Sequence, residues 1–166
     1  MALQLVLSGD AELWKIIALS LRVSLTAVAL ACLIGLPLGA FLAVVRFPGR
    51  GAIVTLLNAF MGLPPVVVGL VVYLALSRSG PLGVLGLLYT PTAMIIAQAI
   101  LVTPLIAALA RQSMADLHGE YDELFRSLGL STRQTIHALI WDGRYSLSTA
   151  ALAGFGRAIA EVGAVI

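Results

Sequence analysis

The chain has 166 residues, of which 60% are apolar and 11% charged, and its mean hydropathy is +1.04. Soluble domains run about 45–50% apolar and about 25% charged, so this composition excludes a soluble globular domain, a disordered chain and a nucleic-acid binder. Ten basic against eight acidic residues leave a net charge of +2, too little for a phosphate-backbone footprint, and the single cysteine, Cys32, permits neither an internal disulfide nor a metal cluster.

What remains is an all-α integral membrane protein. A spanning helix needs about 20 mostly apolar residues. Four stretches qualify: 16–45, 52–76, 91–110 and 146–166. The first carries Arg22 and is longer than a bilayer requires, so it tilts or projects. Gly35-Leu-Pro37-Leu-Gly39 within it should kink it or admit a close neighbour, and Pro64-Pro65 and Pro104 invite the same reading. The second and third stretches are uncharged, while the fourth contains Arg157 and Glu161. Ile166 lies in an apolar run with no polar flank, so residues 1–166 read as one transmembrane domain truncated at its C-terminus.

Basic residues in the loops set the orientation. Arg46 and Arg50 lie between the first two spans, and Arg111, Arg126, Arg133 and Arg144 lie in 111–145. The other side holds Lys15 and Arg78. This asymmetry puts 111–145 in the cytoplasm and the N-terminus outside.

The 111–145 segment reads as two short amphipathic helices. Leu117, Tyr121, Leu124, Phe125 and Leu128 recur at helical spacing as one stripe. Gly129 stops that helix, because glycine accepts the left-handed cap conformation. Ser131 and Gln134 fit a capping box that starts the next helix, whose greasy face is Ile136, Leu139 and Ile140. Such a helix–Gly–helix suits docking of a soluble partner, and it equally suits an amphipathic pair lying on the bilayer.

The stretch Glu123-Leu-Phe-Arg-Ser-Leu-Gly129-Leu-Ser-Thr-Arg-Gln resembles the EAA loop of ABC importer permeases. Glu123 and Gly129 have the right mutual spacing. Leu124 and Phe125 replace the two alanines, and Leu139-Ile140-Trp141-Asp142 lacks the final Pro of the Ile-x-Leu-Pro. Phe60-Met-Gly-Leu-Pro-Pro-Val-Val-Val-Gly-Leu70, Ser77-Arg-Ser-Gly-Pro-Leu-Gly83 and Gly154-Phe-Gly-Arg-Ala-Ile-Ala-Glu-Val-Gly-Ala164 resemble the oxyanion branch of that family. The last two are most similar to its tungstate type, beside molybdate and sulfate permeases. The resemblance implies a polytopic helical bundle of the type I importer permease kind, with at least one further span. It also implies a permease dimer, a cytosolic ATPase pair and an extracytoplasmic solute-binding protein. Glu123, Gly129, Leu130 and Ser131 would then contact the ATPase. Phosphate-cradling loops need a lysine after glycine, whereas the one lysine here, Lys15, follows Trp14. ATP would therefore be hydrolysed on the partner subunit, and this chain would bind no cofactor.

Arg157 and Glu161 lie four apart, on one helix face. Arg157 falls roughly 16 Å into the fourth span at 1.5 Å per residue. A charge at that depth is costly to desolvate and is a functional candidate by default. It either lines the translocation path for a divalent anion or forms an intramembrane ion pair with Glu161 that packs helices. Gln98 and Asn58 can bond across helices. A competing class is an intramembrane hydrolase using Ser131 and His137, although both residues lie outside the apolar spans. A permease for another solute is the third reading.

Overall fold

The first described helix, α1 (Ala11–Val44), is rich in Leu, Ala and Val. The computed structural model describes residues 11–165, so the expected truncation point at Ile166 lies outside it. α1 has 34 residues, about 51 Å at 1.5 Å per residue, against about 30 Å of bilayer hydrocarbon. Pro37 does not interrupt it. Of the two outcomes expected around Gly35 and Gly39, close approach is the one found. A Cβ on Gly39 would stand 2.7 Å from the Ala107 carbonyl oxygen and 2.7 Å from the Ala110 Cβ. A Cβ on Gly35 would stand 3.2 Å from the Ala107 nitrogen and the Thr103 oxygen. Small residues here let two backbones touch, which is how helices associate where lipid removes the hydrophobic drive.

The end of α1 leaves carbonyls without intrahelical donors. Arg50 supplies them: its Nε donates to Leu42 O at 2.6 Å and its Nη2 to Ala43 O at 3.5 Å. The chain then enters α2 (Arg50–Met61) and α3 (Pro65–Leu76). The stretch 52–76 was expected as one span that Pro64-Pro65 should kink or open to a close neighbour, and the kink is what is found: the chain turns by 101° between the two helices. The cause is local. Pro64 and Pro65 both lack an N–H, and Pro64 also pushes Leu63 out of the helical region. Single prolines at Pro37 and Pro104 remove one bond each, and their helices continue.

α4 (Pro91–Ser127) corrects an expectation. The third span and the first amphipathic helix of 111–145 are one rod of 37 residues. No strong breaker separates them. Gly119 costs about 1 kcal/mol in a helix interior, and the run around it holds good helix formers. A 3₁₀ turn (Gly83–Leu85) precedes α4; α5 (Thr132–Asp142) and α6 (Arg144–Val165) follow it, with Gly143 alone between them.

The core lies along α4 in three clusters. Ala40, Ala43, Ala110, Met114, Leu139 and Leu147 join α1, α4, α5 and α6. Val28, Ala31, Val102, Ile106 and Ala158 join α1, α4 and α6. Val68, Val72, Leu76 and Leu101 seat α3 on α4. Leu33, Val66 and Leu152 point outward, each more than two-thirds exposed, as lipid-facing side chains do. Among the described residues, α1 and α4 are long and apolar enough to cross a membrane, and α2 with α3 adds a third crossing if the bent pair counts as one. α6 covers the described part of the expected fourth span and carries Arg157 and Glu161.

Candidate functional site

Two regions carry the residues singled out by sequence. The first is the arm formed by the end of α4, the turn and α5. Gly129 adopts φ 64°, the left-handed value. Leu130 N–H donates to Phe125 O at 3.1 Å and Gly129 N–H to Arg126 O at 3.1 Å. This pair of bonds is a Schellman closure of α4. Gln134 Oε1 then accepts from the Ser131 N–H at 2.9 Å and from the Ser131 hydroxyl at 2.8 Å. The glycine stop and the Ser131–Gln134 pairing stand where the sequence put them.

The apolar stripe divides. Tyr121 and Phe125 pack on the cluster around Met114 and Leu139, with ring centroids 5.7 Å apart. Leu117 packs there too. Leu124 and Leu128 turn outward instead, 52% and 64% exposed. Glu123, Gly129 and Ser131 are also exposed, and Leu130 is half-buried. The arm therefore presents a carboxylate, two leucines and a closed turn on one outer surface.

Polar contacts stiffen the inner side. Asp122 pairs with Arg126 at 2.9 Å and stands 4.0 Å from His118 Nε2. Val44, His118, Asp122, Phe125, Leu130 and Thr135 line a hollow of about 410 Å³. Tyr121 donates a hydrogen bond to Asp142, which holds the phenol pKa above its usual 10.0. Beyond the arm, the Arg144 guanidinium lies 5.3 Å from the Trp141 ring centre and 4.7 Å from that of Tyr145. Both rings are at least 70% exposed, a pairing the sequence reading passed over. Amphipathic rings beside a cation are what a membrane–water boundary favours.

The second region is the polar pair on α6. Arg157 Nε stands 3.4 Å from Glu161 Oε1, with side chains 27% and 19% exposed. The expected four-residue pairing is present. What sequence reasoning missed is the rest of the guanidinium's surroundings. Nη1 donates to Met61 O and Nη2 to Leu63 O, each at 3.2 Å. Next to it, buried Gln98 of α4 donates from Nε2 to Ala158 O at 3.4 Å, the cross-helix bond foreseen for it. Asn58 is exposed on α2. Gln98, Glu161 and Pro65 line a small cavity of about 20 Å³. The signal that would have found this site is Pro64-Pro65, which guarantees carbonyls in need of a donor.

The hydrolase alternative has no such geometry. The Ser131 hydroxyl donates to Gln134, whereas nucleophilic catalysis needs it bonded to a base.

A helical bundle with apolar crossings, a bent segment and a helix–glycine–helix arm is the architecture of a polytopic membrane protein. Residues 35–142 match the model of the binding-protein-dependent transport system inner membrane component, and the chain belongs to that family. It is 42% identical over 165 residues to the tungstate uptake system permease protein TupB of Peptoclostridium acidaminophilum, covering 99% of this chain and 72% of that one. It is 33% identical over 108 residues to the TupB of Campylobacter jejuni, covering 65% of this chain and 45% of that one. The molybdenum transport system permease protein ModB of Escherichia coli is 27% identical over 165 residues, covering 92% of this chain and 70% of that one. The chain is thus a membrane permease of the ABC type, similar to the tungstate and molybdenum permeases just named. The family match takes in the bent segment and the arm and ends before α6.

Proposed function

We propose that this chain is the membrane-spanning permease subunit of an ATP-driven oxyanion importer, with tungstate as its substrate. The observation that carries the substrate is the nearly full-length likeness to a tungstate permease; the likeness to molybdenum and sulfate permeases is weaker. In this reading two copies form the translocation path, an extracytoplasmic binding protein delivers the anion, and a cytosolic ATPase subunit supplies the energy. The N-terminus lies outside and the arm lies in the cytoplasm.

The arm suits a coupling element. Its turn is closed by its own hydrogen bonds, so force on α5 passes to α4 without first melting a loop. Glu123, Gly129, Leu130 and Ser131 make the contact, and Leu124 and Leu128 add exposed apolar area beside them. A motion of the arm moves α4, against which α1, α3 and α6 all pack. Coupling of this kind requires a two-state element that ATP biases, and the bundle around α4 is that element.

Glu123→Lys tests the assignment. The variant should insert normally and lose its ATPase in a pull-down from detergent extracts. Undiminished capture of the ATPase removes Glu123 from the contact. Competitive uptake into vesicles containing the assembled transporter tests the substrate: tungstate should outcompete molybdate and sulfate, and preference for either of those reassigns it.

A further inference from the structure

The break between α2 and α3 is closed from far away in the sequence. Ala59 O and Phe60 O recover donors from the N–H groups of Gly62 and Leu63. Met61 O has no donor at position 65, because Pro65 has no N–H. Val67 N–H, which would serve Leu63 O in a continuing helix, donates to Pro64 O instead. Arg157 takes up both carbonyls, one with each terminal nitrogen. These oxygens sit at the C-terminal end of α2, where the helix dipole also favours a cation.

We propose that Arg157 is the positioning residue that holds the bent segment in its turn, and that it is not a ligand of the transported anion. Among the described residues, the groups that meet the guanidinium are acceptors: two carbonyl oxygens and the Glu161 carboxylate. That environment offsets its positive charge and leaves little potential to attract an oxyanion. The adjoining residue is fixed as well, since Gln98 of α4 holds the Ala158 carbonyl. The bend is thereby tied through α6 to the same rod that carries the arm. A fork is needed to reach two oxygens at once; the single ammonium of a lysine is a point charge.

The test uses the complete transporter in a Cys32→Ala background. Spin labels at Ile53→Cys and Leu74→Cys, both exposed positions, report the distance between the two limbs. Arg157→Ala should shift and broaden that distance, and Arg157→Lys should recover part of it. In vesicles, Arg157→Ala should lower the maximal rate of tungstate uptake about tenfold with KM changed less than about twofold. An unchanged limb distance in Arg157→Ala overturns the proposal. So does a large rise in KM at constant maximal rate, the signature of an anion ligand. Should Arg157→Ala fail to accumulate, the same readings apply to Arg157→Lys. The uptake arm rests on the importer reading and the distance arm does not. A native protein that ignores tungstate while its bend answers to Arg157 refutes the substrate and keeps the brace.

Discussion

The chain breaks its helices in two places by opposite means. At 128–131 the carbonyls of α4 are satisfied by Gly129 and Leu130, and Gln134 satisfies Ser131. Every partner lies within five residues. At 62–64 the carbonyls of Met61 and Leu63 wait for a guanidinium more than 90 residues further on. The first break forms from its own sequence and is a rigid corner in polar surroundings. The second is started by its own prolines and held by α6, so its shape reports the assembly of the bundle. A corner that must transmit motion is built locally; a corner free to change with the bundle is held from elsewhere.

The largest effect expected from breaking this contrast is at the distant partner. Arg157→Ala leaves a partly buried carboxylate and two carbonyls without their donor, which costs about 1–3 kcal/mol. The double change of Arg157 and Glu161 to Ala should cost less than the single one. Denaturation in mixed micelles measures both, and a single variant no worse than the double one shows the pair to be uncoupled. Gly129→Ala comes next. Forcing a Cβ into φ 64° costs about 1–2 kcal/mol. Hydrogen exchange at Leu130 should quicken while the limb distance of the bent segment stays fixed; a change there would join the two corners.

Gln134→Ala removes the acceptor of the Ser131 N–H and should cost about 0.5–1 kcal/mol, measured on the same arm amides. The smallest effect is at Tyr121. Its phenol donates to Asp142, and that bond raises its pKa above 10.0 in the fold. A group whose pKa is raised by folding stabilises below its unfolded pKa and loses that contribution as pH rises through the folded value. The native arm should therefore loosen above about pH 10. Tyr121→Phe should be less stable below that point and flatter across it. Identical profiles for the two proteins would remove the bond from the account.

The local corner was legible because its chemistry is written in neighbouring letters: a glycine at the stop, then Ser131 and Gln134 at capping-box spacing. Gly35 and Gly39 announced a close approach, though not its partner Ala107, which only the fold supplies. The distant corner was half legible. Pro64-Pro65 promised a disturbance, yet nothing in their vicinity names Arg157 as the donor. The same distance hid Arg50 reaching back to Leu42. The reach of α4 was misjudged for the converse reason. The change from apolar to polar residues after Ala110 suggested an end, but polarity alone does not stop a helix that meets no breaker.

The proposed function puts the Gly129 corner in the cytoplasm, held by an ATPase. Ser131→Cys in the Cys32→Ala background, treated with a membrane-impermeant maleimide, tests it most directly. Reaction in inside-out vesicles stripped of the ATPase, protection once the ATPase is added back, and silence in intact cells are the results expected. Modification from outside intact cells would contradict it.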